Sequence, residues 1–165
     1  MTVTSIQKDP EALTLVVTAE FDAGVDPVWQ LWEDPRLLER WWGPPTYPAS
    51  VQSHDLVPGG RVTYSMTGPE GDTHHGWWRV IAVDRPKRIE FADGFADATG
   101  TPNPDLPTTT SVVTFEEHEP GRTRMEIETT FPSLDAMEQM VQMGMEEGLR
   151  EAMGQMDDVL RSISG

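Results

Sequence analysis

The chain has 165 residues and a formal net charge of −16, from 28 acidic against 12 basic side chains. The length suits one domain, residues 1–165, able to bury about two-thirds of its unfolded surface. The negative field repels phosphate, so neither nucleic acid nor an anionic membrane is expected as a partner. Without cysteine there are no disulfides, thiolate nucleophiles or zinc–sulfur sites.

The opening stretch "MTVTSIQKDPEALTLVV" lacks a basic start followed by an apolar region. No apolar run reaches the ~18 residues of a spanning helix, and a cytoplasmic location is expected. The first predicted strand is "ALTLVVTAEFDA", residues 12–23, rich in β-branched residues. Asp26 and Pro27 then read as the cap and first residue of a short helix with Val28, Leu31 and Trp32 on its apolar side. Asp34 and Pro35 start a second through Leu37, Leu38 and Trp41, which "GPP" ends. Trp41 and Trp42 are adjacent, so on a helix they point about 100° apart. One is expected in the core and the other over something else, and the sequence leaves open which.

Residues 46–131 read as antiparallel strands separated by Pro- and Gly-containing turns. In "RVTYSMTG", Val62, Tyr64 and Met66 share a face. In "THHGWWRVIAV", Arg79 alternates with Trp77 and Ile81. Facing inward it would anchor a ligand carboxylate, and facing outward it would be solvated; both orientations stand. "RIEFADGF" alternates Ile89, Phe91 and Phe95, while Val113 with Phe115, and Met125 with Ile127, share faces of a final pair. The segment "ADATGTPNPDLP", residues 96–107, is a long Pro-rich loop, a candidate lid or a solvated connector.

Residues 133–163 read as one long helix capped by Ser133. Met137, Val141, Gly144 with Met145, Gly148, Ala152 and Met156 recur every three or four residues. Gly144, Gly148 and Ala152 give one stripe little bulk, so the helix either presses close to the sheet or leaves a space. The order of elements predicts one α+β domain, with two short helices after the first strand and a curved antiparallel sheet around the C-terminal helix.

Few residues suggest chemistry. Tyr64 is expected to point inward, as a structural tyrosine or a polar handle, and Tyr64 or His75 would supply acid–base catalysis in an enzyme. His74 and His75 face opposite sides of a strand, and His54 and His118 lie in other segments, so no metal site is expected. Asp93, Asp97, Asn103 and Asp105 gather around the Pro-rich loop without calcium-loop spacing. Phosphate-loop, nucleophile-elbow and dinucleotide fingerprints are absent, so no cofactor is expected.

"DPVWQLWEDPRLLERWWGP", "PGGRVTYSMTGPEG", "VIAVDRPKRIEF", "GRTRMEI" and "MGMEEGLREAMGQMDDVL" stand in that order over residues 11–161. As a set they resemble the Hsp90 ATPase activator homologue family, within the START-like (Bet v 1-like, polyketide cyclase) superfamily. The resemblance implies a helix-grip fold whose sheet and C-terminal helix enclose a cavity for an apolar or aromatic small molecule. Trp41 or Trp42 would border its mouth. Tyr64, Met66, Trp77, Arg79, Phe91, Phe95, Phe115 and Met125 would line the sheet side. Met137, Val141, Gly144, Met145, Gly148 and Ala152 would line the helix side. The eukaryotic activator has a separate N-terminal domain for chaperone contact, for which this chain has no room, so chaperone activation is not expected. Non-catalytic ligand binding is the leading reading, ahead of a cyclase- or dehydratase-like enzyme and of a protein-interaction module. An exposed sheet edge would also suit a homodimer.

Overall fold

The computed structural model describes residues 3–164. Residues 1, 2 and 165 of the expected domain lie outside the described residues. Eight strands form one antiparallel sheet: β1 (Val3–Asp9), β2 (Thr14–Phe21), β3 (Ala49–His54), β4 (Arg61–Thr67), β5 (Thr73–Asp84), β6 (Arg88–Ala96), β7 (Thr109–Glu119) and β8 (Arg122–Thr130). Their order across the sheet is β1-β2-β8-β7-β6-β5-β4-β3. The chain thus passes from β2 near one edge to β3 at the other through two short helices, α1 (Val25–Glu33) and α2 (Pro35–Trp41). The C-terminal segment returns as α3 (Leu134–Gln142), α4 (Met145–Met153) and α5 (Met156–Ser164). A curved sheet holding a long C-terminal helical segment is the helix-grip fold.

The inward face follows strand alternation. Leu15, Val17, Ala19 and Phe21 of β2 are buried, as are Ile89 and Phe91 of β6, Val113 and Phe115 of β7, and Met125 and Ile127 of β8. β1 escapes a sequence reading because "VTSIQKD" shows little alternation and, as an edge strand, buries little beyond Val3. It is held by its register with β2, from Val3 opposite Ala19 to Asp9 opposite Thr14.

Two local expectations are corrected. Asp26 does not cap α1: the cap is Gly24, and the Glu117 carboxylate of β7 accepts from the Val25 N–H at 2.8 Å. A distant strand thus satisfies an end that nearby residues leave open. The expected single C-terminal helix is divided, because Gly144 adopts a left-handed conformation with φ of +87° and ends the run from α3. A second break follows at Gly154, which caps α4. Asp34 behaves as its sequence predicts, accepting from the Arg36 N–H at 2.9 Å to cap α2.

The core gathers around Trp32. Its ring lies edge-on to Trp41 at 4.9 Å and tilted against Trp78 at 5.9 Å, with Phe91 at 6.3 Å and Phe115 at 6.4 Å. Its indole N–H donates to the Met125 sulfur at 3.4 Å. Trp41 donates to the Leu31 carbonyl at 2.9 Å, which fixes α2 against α1. α1 packs on β7, β8 and α5, and the junction of α4 and α5 is tied down by Gln155, whose amide donates to the Gly43 carbonyl at 2.7 Å. Trp32→Ala should therefore cost about 3–5 kcal/mol. A urea-unfolding midpoint close to wild type would show that this ring is not the centre of the core.

Candidate functional site

Between the sheet, the turn after α2 and the two helices α3 and α4 lies a cavity of about 240 Å³. An apolar space of ~150 Å³ already holds one benzene ring, so this one suits a compact ligand of roughly two rings. Its sheet side carries Tyr64 and Met66 from β4, Phe91, Asp93 and Phe95 from β6, and Ile127 from β8. Trp32, Trp41, Trp42 and Pro44 form the end wall. Met140 of α3 and Met145, Gly148, Leu149 and Ala152 of α4 complete it.

The structure separates the two adjacent indoles. Trp41 is fully buried and belongs to the core beneath the short helices. Trp42 is half-buried and turns toward the sheet, edge-on to Trp78 at 4.9 Å and to Tyr64 at 5.7 Å. The indole nitrogens of Trp42 and Trp78 are buried without a hydrogen-bond partner in the structure. Tyr64 lies across Gly76 of β5, where an added Cβ would come within 2.3 Å of its ring and hydroxyl. A glycine there lets an aromatic ring lie flat over the neighbouring strand.

Several residues expected at the cavity lie elsewhere. Trp77 and Arg79 point to the outer face of the sheet, because β5 turns Gly76, Trp78 and Val80 inward. Trp77 covers Gly94 from outside and donates to the Phe95 carbonyl at 3.1 Å, while Arg79 is exposed. His75 shares that outer face, in a separate groove with Gln52 and Thr99, and so is not placed for chemistry in the cavity. Phe115 and Met125 do face inward but are covered by α1, Phe115 lying edge-on to Trp29 at 5.3 Å. Met137 packs with Leu15 and Phe131. Gly144 is exposed at the helix break, and Val141 also lies off the cavity, since the break turns the faces of α3 and α4 apart. From the Pro-rich loop Pro107 reaches the cavity, while Gly100 is held toward the outer face by Arg61, whose guanidinium donates to its carbonyl at 3.1 Å.

What sequence reasoning missed is a polar strip on the cavity floor. Asp93 and Thr109 are cross-strand partners, as are Ser111 and Thr129, and all four line the cavity. Thr109 donates to an Asp93 carboxylate oxygen at 2.5 Å, and the Ser111 and Thr129 hydroxyls are 3.0 Å apart. The signal was present: Asp93 falls between Phe91 and Phe95 in the same alternation, and so belongs to β6 rather than to the acidic loop. Thr109 and Ser111 continue the inward series of Val113, and Thr129 that of Ile127. Burial pushes the Asp93 pKa up to about 6, against the opposing effect of the Thr109 hydroxyl. Burial, and secondarily the Asp93 charge, push the Tyr64 phenol well above its ordinary value, so it remains a neutral hydroxyl.

The chain matches, over residues 22–161, the family described as activator of Hsp90 ATPase homolog 1-like protein. A solution structure of a protein from Arthrobacter aurescens is 51% identical, with a TM-score of 0.93, covering 98% of this chain and 93% of the other. A crystal structure of a protein from Mycobacterium smegmatis is 50% identical with a TM-score of 0.88, covering 96% of both chains. A Staphylococcus epidermidis protein is 26% identical with a TM-score of 0.83, covering 96% of this chain and 94% of the other. Among curated proteins none matches this chain. No helix among the described residues is long and apolar enough to cross a membrane.

The raised pKa of Asp93 makes a testable statement about stability. The folded state holds this proton more tightly than the unfolded chain, so stability falls as pH rises from about 4 to about 6 and the loss persists above. Asp93→Asn removes the ionisation and should be more stable than wild type at pH 8 by on the order of 3 kcal/mol. The difference should shrink toward pH 4. Denaturant unfolding at both pH values checks this, and a difference independent of pH would refute it.

Proposed function

The chain belongs to this family of activator-homologue domains, whose fold is that of a ligand-binding or interaction module, and we propose that it binds a small apolar or aromatic molecule in the cavity between sheet and helix, without catalysis. The observation that carries this reading is the space over Gly148. A Cβ added there would meet nothing within 4 Å, although Gly148 lies on a helix directed at aromatic side chains. Protein interiors pack closely, and a well-filled core leaves few voids of this size. The lining has the usual make-up of a ligand pocket, mostly apolar and aromatic with a few polar groups at one place.

A catalytic alternative would have to draw on Asp93 and Tyr64, since His75 opens on the opposite face. Both could hold or pass a proton, and the Thr109 hydroxyl is bonded to the Asp93 carboxylate, but the lining holds no histidine or lysine to act as a stronger base, which favours binding alone.

The two-ring alcohol 2-naphthalenemethanol is a suitable probe, followed by calorimetry and by quenching of tryptophan fluorescence. Binding should saturate at one molecule per chain. Gly148→Leu fills the space from the helix side and should weaken binding by at least about tenfold, while helix propensity keeps the variant as stable as wild type or more so. His75→Ala and Arg79→Ala, on the outer face, should leave the affinity unchanged. Undiminished affinity in a folded Gly148→Leu variant would remove the cavity as the binding place.

A further inference from the structure

Asp93 gives the cavity a feature that an all-purpose apolar pocket would lack. One carboxylate oxygen accepts from Thr109, and no other hydrogen bond or ion pair to this side chain is found among the described residues. The cavity lining includes no lysine, arginine or histidine, and Arg79 of the neighbouring strand stands on the outer face of the sheet. The same cavity is lined by the rings of Trp32, Trp41, Trp42, Tyr64 and Phe91, and the Asp93 charge acts on the Tyr64 phenol. An uncompensated carboxylate among apolar groups costs folding energy. Aromatic faces next to a carboxylate attract organic cations, the rings through their quadrupoles and the carboxylate as a counter-ion. The chain's charge of −16 adds a long-range field of the same sign.

We propose that the cavity selects amphipathic amines, molecules with a compact aromatic or apolar body and one protonated nitrogen, with Asp93 as counter-ion and the tryptophan and tyrosine rings as the cage around the cation. This rests on the cavity being the binding place. The polar strip then sets the ligand's orientation: its nitrogen lies at Asp93, and its body extends toward Gly148 and Ala152 of α4. Ligands carrying a carboxylate or phosphate are disfavoured by the same charge.

The pKa of about 6 for Asp93 adds a pH dependence. The carboxylate is ionised at neutral pH and accepts an ammonium group, and protonation below that value removes the attraction. Tyr64 of β4 is the other titratable group in the lining and stays neutral in this range. β7 and β8 present Thr109, Ser111, Ile127 and Thr129 to the cavity, the turn after α2 presents Trp42 and Pro44, and α3 and α4 present Met140, Met145, Gly148, Leu149 and Ala152, none of which titrates.

The test compares 2-naphthylmethylamine with 2-naphthalenemethanol, two probes of nearly equal shape, by calorimetry on the full chain and on Asp93→Asn. Wild type should prefer the amine by about tenfold or more at pH 7.5, as expected of a charge-assisted hydrogen bond made out of water. Asp93→Asn should abolish that preference, bringing the ratio of the two affinities to about one. The amine's affinity for wild type should also fall as pH is lowered from 8 to 5, breaking near 6, a measurement that needs no variant. Equal affinities in wild type, or a preference that survives in Asp93→Asn, would overturn the assignment to Asp93 while the alcohol still reports on the cavity. If neither probe binds, or if Gly148→Leu binds both unchanged, the cavity reading fails and this inference with it.

Discussion

Burial of Trp32 divides the inner face of the sheet in two. On one side of the ring, α1 lies directly on the strands and Phe115 and Met125 are enclosed. On the other side the ring, with Trp41 and Trp42, ends the packed region and becomes a wall of the cavity. α1 and α2 cover only part of the curved sheet, and the C-terminal helices must cover the remainder. α5 does so with Met156, Val159 and Leu160, which join the main core. α4 brings Gly148 and Ala152 to the same task and cannot fill the space.

The chemistry of the site follows from a change of polarity along single strands. β6 runs inward-facing Ile89, Phe91, Asp93, and β7 runs Thr109, Ser111, Val113, so the antiparallel register sets Asp93 beside Thr109 and Phe91 beside Ser111. The packed end of the sheet is therefore apolar, and the open end carries hydroxyls and one carboxylate. Each hydroxyl has a partner, while the carboxylate keeps one oxygen without a donor among the described residues. A group that is costly to ionise in the folded state is held where a ligand could compensate it, a local conflict of the kind that marks binding sites rather than cores.

Much of the fold was legible from local pattern. Alternation identified β2 and the strands of the β4–β8 region, Asp34-Pro35 marked the start of α2, and the spacing of Gly148 and Ala152 gave a stripe without bulk. β1 was not legible, because an edge strand needs few apolar residues. The cap of α1 was not legible either, since Glu117 lies 92 residues from Val25. At the site, Tyr64, Met66, Phe91, Phe95, Met145, Gly148 and Ala152 line the cavity. Phe115, Met125 and Met137 do not, because a periodic pattern shows that a residue faces inward without showing what covers it. Trp77 also lies outside the cavity, and Arg79 takes the solvated one of its two open orientations: in "GWWRVIAV" both alternating sets are bulky, so the pattern could not choose a face.

The sequence by itself determined most of the elements, the antiparallel sheet and the set of residues available to its inner face, because those depend on spacing and turn chemistry over a few residues. It also contained Asp93 in the inward register, in alternation with Ile89, Phe91 and Phe95. Only the tertiary structure decided which tryptophan was fully buried beneath the short helices and which was left half-buried against Tyr64, where Gly144 broke the final helix, and which part of the inner face α1 sealed. These depend on contacts between segments far apart in the chain, such as Gln155 with Gly43 and Trp32 with Met125. Such contacts leave no periodic trace in either segment, and they set the boundary between the packed core and the open cavity.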